Sequence, residues 1–525
     1  MMKTNPIPHH GRGVSEFLAR HSDKVTGVIS GFDRLRLQGT LRALYVPEIM
    51  QEYLWRAKVL CKDFKSHLKE VSEQICDAAE TTARRAGLSV RYVRSAATRK
   101  EDLVAEALRE RPRAKGLVAV LSAVEPCRTW KMRGNYQTKR LEPRLEWSKC
   151  LHLYFYFLHE EVGLMHLRLQ TWFPFLVHAC LNGREWLCRQ LDRQRIAYRR
   201  EDNKLPWIAD VQRAQALLDA QTKAPWQDWL PPLVERFHPF HQRLHDLLPV
   251  DYYWTVAQSE YATDVMFRDR AALEAVYPRL VHHAITSFGA TDVLRFLGRA
   301  HAGHSAVESS RLTREEGTRI KHWIDLNSLK LYDQGSILRA EGTINHPEAF
   351  RVWRASEREP RGDKAWRPLR RSIADLPRRA EVSRAATDRY LGALAAVEDA
   401  TPLDEGAATV CQPITRKGRR YRALNPFHPD DAALLGAVNH GDFAVRGLRN
   451  RELRAILYPH PPKDLTPRQL ASRVSRQLAL LRAHGLIARV SKTHRYIVTK
   501  KGRKVITALL AAGRANIEQL TKLAA

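Results

Sequence analysis

Between positions 466 and 504 the chain reads TPRQLASRVSRQLALLRAHGLIARVSKTHRYIVTKKGRK, a pattern that leaves little freedom in local structure. Thr466 can accept a backbone N–H as a helix cap, and Pro467 suits the first helical turn. Leu470, Val474, Leu478 and Leu481 recur at helical steps, so one apolar face seeks a core. Arg468, Gln469, Ser472, Ser475 and Arg476 then fall on the opposite, outward face. Gly485 stops the helix, and a β-like run (486–490), a basic turn (491–494) and a second alternating run (495–499) follow.

Charge says what such a unit would meet. From position 416 onward there are 23 Lys and Arg against 6 Asp and Glu, so 17 of the chain's net +30 charges lie in its last fifth. That surplus favours a phosphate backbone. VSRQLALLRAHGLIARV and HRYIVTKKGRKVI resemble the recognition helix and wing of winged helix-turn-helix regulators of the multiple-antibiotic-resistance type. The resemblance implies a winged helix-turn-helix domain at 425–525 with its outward helix face in a major groove. Arg468, Gln469, Ser472 and Arg476 would take base edges, and Lys492, Thr493, His494 and Arg495 would take phosphates. A protein-docking or dimer module built from the same elements is the alternative.

A chain of 525 residues can bury several cores. Its pI near 10.1 points to polyanions. No apolar run is long enough to cross a bilayer, so the expected partner is nucleic acid, DNA before RNA, with no membrane. The first residues lack an apolar core of the secretory kind, and seven scattered cysteines form no Cys-x-x-Cys pair. Reduced thiols and a cytoplasmic location are expected.

The larger part reads as mixed α/β. The expected layout is a flexible basic leader (1–20), a mixed α/β domain (21–250) and a second α+β segment (251–354) that either shares its core or stands apart. A basic connector with a helix (355–424) and the winged helix follow. Positions 25–44 read as a strand or bent hairpin, and a stripe from Tyr53 through Ala57, Leu60, Phe64, Leu68 and Val71 to Ile75 as one long helix from Pro47. That stripe serves either a core or a coiled coil of a homo-oligomer. Positions 116–124 read as a buried strand and 151–180 as a long hairpin closed at Asn182-Gly183. In the connector, Arg367, Arg370 and Arg371 beside Trp366 are candidate phosphate contacts.

No Walker loop, Gly-x-Gly-x-x-Gly, His-Glu-x-x-His or Gly-x-Ser-x-Gly motif occurs. Four carboxylates in strand-like contexts beside bases remain as catalytic candidates: Asp33, Glu125, Asp264 and Glu341. Phosphoryl transfer assisted by Mg²⁺ or Mn²⁺ needs two or three carboxylates converging from separate strands, and otherwise each is a salt-bridge partner for one of the many arginines. SLKLYDQGSILRAE resembles a pattern in rolling-circle replication initiators of filamentous phages, yet the His-hydrophobe-His motif of those proteins is missing. Tyr332 and Tyr390 are therefore expected as packing residues. His238, His241 and His245 could share a helical face as metal ligands, or belong to an amphipathic helix.

GFDRL, LQTWFPF, LNGREWL and IADLPRRAEVS are also similar to a widespread, often multicopy group of bacterial proteins, which implies a mobile element and lends no activity. The first expectation is a protein that docks on duplex DNA through its C-terminal winged helix, in a mobile-element transaction. Alternatives are a metal-dependent nuclease, recombinase or replication initiator, and a non-enzymatic regulator or RNA-binding scaffold.

Overall fold

Val25–Thr40 forms β1, a strand in which apolar Leu35 and Leu37 alternate with exposed Arg34 and Arg36. The computed structural model describes residues 11–95, 97–111, 116–298, 308–314, 317–356, 358–395, 403–440, 443, 447–462, 465–490 and 493–514. The strands after β1 are β2 (Val90–Tyr92), β3 (Gly116–Asn135), β4 (Arg140–His159), β5 (Gly163–Gln170), β6 (Val177–Asn182), β7 (Tyr198–Glu201) and β8 (Lys204–Ile208). They continue with β9 (Tyr253–Phe267), β10 (Glu308–Arg314), β11 (Gly317–Ile324), β12 (Asn327–Gln334) and β13 (Ile337–Ile344).

Eleven of these build one mixed sheet in the order β10-β11-β12-β13-β9-β1-β6-β5-β4-β3-β2. Every neighbouring pair is antiparallel except β2 and β3. β1 lies between β6 and β9, so 21–250 and 251–354 share a single sheet. Helices Phe64–Arg85, Trp226–Phe237 and Val211–Gln221 pack into one core with β1, β4, β5 and β6. Helices Tyr277–Ser287, Ala290–Leu297 and Leu376–Leu394 pack into a second with β9 and β11–β13.

Three expectations change. The leader is helical from Arg12 to Arg20, with Val14, Phe17 and Leu18 buried; residues 1–10 lie outside the described residues. Gly13 lets this helix touch the helix Leu376–Leu394, since a Cβ there would lie 1.9 Å from the Asp388 carbonyl oxygen. The long helix is two helices, Pro47–Arg56 and Phe64–Arg85. Lys58 takes a left-handed φ of 56°, and Val59 N–H closes back on the Leu54 carbonyl, a helix stop made without glycine. Finally, an antiparallel hairpin, Arg351–Arg354 with Ala365–Pro368, joins the connector to the segment before it, and the helix Leu376–Leu394 lies on the sheet with Arg379 buried.

The C-terminal residues have their own core, from Val410 to Leu509. Its described helices include Leu403–Cys411, Pro429–Val438, Asn450–Leu457, Pro467–Ala483 and Lys500–Arg514, with the hairpin Ile487–Arg489 and Tyr496–Val498 before the last. Leu448 bridges to Tyr496 as a third, minimal strand. Thr466 and Gln469 cap the helix Pro467–Ala483 reciprocally, and Leu470, Val474, Leu478 and Leu481 are all buried.

Candidate functional site

Cross-strand partners carry their side chains on the same face of a sheet, and here three successive rungs carry polar groups. Glu260 on β9 faces Thr343 on β13, which faces Ser328 on β12. One rung on, Glu341 faces Lys330; on the next, Asp264 faces Arg339, which faces Tyr332. Asp33 joins them because β1 is irregular there: Phe32 pairs with Tyr261 and Arg34 with Glu260, leaving Asp33 as the extra residue of a bulge.

Arg339 binds Asp264 through Nε–Oδ1 at 2.6 Å and Nη2–Oδ2 at 2.9 Å, and its Nη1 donates to Asp33 Oδ1 at 3.0 Å. Arg184 Nη2 lies 2.8 Å from Asp264 Oδ2. Asn203, in the turn between β7 and β8, donates from Nδ2 to Asp33 Oδ1 at 3.1 Å. Lys330 Nζ lies 2.5 Å from Glu341 Oε1 and 3.2 Å from Glu260 Oε1, and Tyr332 OH donates to Glu341 at 3.4 Å. Tyr332 thus borders the cluster, while Tyr390 is buried and hydrogen-bonded to His322.

One oxygen each of Asp33, Glu260 and Glu341 lie within 4.8 Å of one another. At an effective dielectric near 20, each like-charged pair at that distance costs about 3 kcal/mol. Burial, opposed by Lys330, pushes the Glu341 carboxyl up to about 6. Asp264 is also buried, but Arg184 and Arg339 outweigh that and hold it below the usual carboxylate range. Oxygen donors in this arrangement suit a hard divalent cation.

Sequence reasoning missed Glu260. Its signal was parity: Glu260 and Asp264, four apart in a strand, share a face. Glu125 does not join the cluster. It lies on β3, bound by Tyr154 at 2.5 Å, Arg168 at 2.7 Å and Lys100 at 3.0 Å. Burial alone would raise its pKa, but the Tyr154 hydrogen bond and Arg168 bring it down to about 2. That is the salt-bridge role, and Glu125 leaves the catalytic set.

The histidine trio is divided: His238 follows the helix Trp226–Phe237, and Phe240–Leu247 begins after Pro239. Among the described residues, no histidine joins a three-ligand metal group. In the former connector, Arg370 pairs with Asp375 at 2.8 Å and Arg371 with Glu348 at 2.6 Å, while Arg367 has a buried Nε without a partner. Arg370 is thus tied into the protein's own packing, whereas Arg371 stays exposed beside Glu348.

At the C-terminal unit, Arg468, Gln469, Ser472 and Arg476 are all exposed on the helix Pro467–Ala483. Gln469 also serves the cap. In the hairpin, His494 is exposed, Thr493 hydroxyl donates to the Val490 carbonyl, and Arg495 is half-buried 3.9 Å from Glu452. Lys492 lies outside the described residues. Among the described residues, no helix is long and apolar enough to cross a membrane. No known protein family matches the chain, and no curated protein or solved structure shows detectable similarity to it.

Proposed function

We propose that this is a nucleic-acid-binding protein that docks on duplex DNA through its C-terminal unit. One observation carries the reading: the outer face of helix Pro467–Ala483 exposes Arg468, Ser472, Arg473 and Arg476, and the helix contains no acidic residue. The helices Pro429–Val438, Asn450–Leu457 and Pro467–Ala483, the hairpin and the helix Lys500–Arg514, with Leu448 bridged to the hairpin, follow the order of a winged helix-turn-helix. In that arrangement the exposed face enters a major groove, and the hairpin residues Arg489 and His494 lie toward the backbone. Full-length protein on a labelled duplex, followed by fluorescence anisotropy between about 50 and 200 mM salt, tests this. Binding should weaken steeply with salt. Absence of saturable binding at the low end would remove the reading.

The second reading, a metal-dependent nuclease or strand-transfer enzyme, is favoured by the convergence of Asp33, Glu260 and Glu341 from three strands. Nicking of labelled DNA with Mn²⁺, lost in Glu341→Ala, is its test.

A further inference from the structure

We infer that the face of the sheet where β1, β9 and β13 meet is a divalent-cation site, with Asp33, Glu260 and Glu341 as carboxylate ligands and Thr343 as a flanking hydroxyl. The inference supplies the ion that the second functional reading requires, and it is independent of duplex docking.

Geometry is the first support. An octahedral Mg²⁺ with bonds near 2.1 Å spans about 4.2 Å between opposite oxygens. Of three oxygens on such an ion at most one pair is opposite and the others, adjacent, lie about 3.0 Å apart, so oxygens now within 4.8 Å of one another draw in by up to about 2 Å to close on it. They come from a bulge and two neighbouring strands, elements too rigid to carry the groups apart.

Unsatisfied polar atoms in the adjoining rung are the second support. Thr343 is 3% exposed and Ser328 0%, and neither hydroxyl has a hydrogen-bond partner. Thr343 faces Glu260 across the strands and shares its face with Glu341 two residues away. A buried hydroxyl without a partner is a cost unless a neighbouring group takes its lone pair. A cation, or a water on that cation, held by Glu260 and Glu341 meets the need.

Charge is the third consideration. Asp33, Glu260, Asp264 and Glu341 are set against Arg184, Arg339, Lys330 and the rim's Arg34, so the charges of the cluster balance without an ion. A divalent ion makes the cluster positive, the sign that draws in a phosphodiester. Glu260 and Arg34 form the open rim, with Glu260 Oε2 4.0 Å from Arg34 Nε. The ligand set is all oxygen, so Mg²⁺ or Mn²⁺ fits it better than Zn²⁺.

The test uses chelator-treated, dialysed full-length protein without nucleic acid. Mn²⁺ is titrated by calorimetry and by loss of the free-ion electron paramagnetic resonance signal. One site per chain tighter than about 1 mM is expected, with competition by Mg²⁺. Glu260→Gln and Asp33→Asn should each weaken Mn²⁺ by about tenfold or more with an unchanged circular dichroism spectrum, whereas Glu125→Gln should bind as the native protein does. The native titration needs no variant: no saturable binding by about 1 mM overturns the inference, as does unaltered binding in folded Glu260→Gln. Saturable Mn²⁺ binding without any nicking of DNA would instead leave the ion site standing and sink the nuclease reading.

Discussion

Arg339 on β13 and Asp264 on β9 face each other across one rung and share a bidentate ion pair in which both side chains are almost fully buried. Removing Arg339 leaves Asp264 to Arg184 and takes a guanidinium from Asp33, and breaking such a buried pair typically costs about 3–5 kcal/mol. Arg339→Leu should therefore lower stability by about that amount in urea unfolding. A loss below about 1 kcal/mol would mean that water reaches the pair.

The same pair predicts acid sensitivity. Asp264 titrates below its ordinary value, so its contribution is complete above the unfolded carboxyl pKa and is lost as pH falls through the lower, folded value. Arg339→Leu should flatten the acid limb of the stability–pH curve as well as lower its plateau.

Glu125 offers a separate test, away from the cluster. Its carboxyl is lowered from 4.5 to about 2 and its side chain is a quarter exposed. Discounted for solvent, Glu125→Gln should cost about 2 kcal/mol at pH 7. The gap to the native protein should close as pH falls from about 4.5 toward 2, the interval between unfolded and folded values. A pH-independent gap would assign the loss to packing.

On DNA, Arg476→Ala should lose about 1–3 kcal/mol at one or two base positions and leave other positions alone. Arg489→Ala, on the exposed edge of the hairpin, should weaken all duplexes alike and reduce the salt slope by about one. Competition binding against a partly randomised duplex separates the two. Equal effects on every sequence would place the helix outside the groove.

Gly183 probes how the cluster is seated. A Cβ there would lie 1.7 Å from the Phe32 carbonyl oxygen, next to the bulge that carries Asp33. Asn182 caps the helix that starts at Gly183 and bears Arg184. Gly183→Ala should push this helix away from β1, costing about 1–3 kcal/mol by thermal or urea unfolding. Native stability in that variant would show that the helix slides freely.

Much of this was readable from residues. The 466–483 helix announced its cap, its apolar stripe and its outward arginines, because each obeys local rules that tertiary context did not override. The structure brings Asp33, Asp264 and Glu341 to one face of the sheet, but their meeting depends on strand order, which periodicity does not encode. Glu125 was grouped with them for that reason: β3 is four strands from β1, about 19 Å across the sheet. The break after Arg56 was invisible because Lys58, an unremarkable residue for a helix, takes the conformation that glycine usually signals.

The placement of β9 has a consequence for synthesis. β1 is complete at Thr40, yet its neighbour on one side begins at Tyr253, about 210 residues later. At roughly 5–20 residues per second, a nascent chain spends about 10–40 s with that flank of β1 lacking its final partner. Chains released early would end with an open, apolar strand edge, which makes ribosome-stalled or truncated products of this protein the ones most in need of a chaperone.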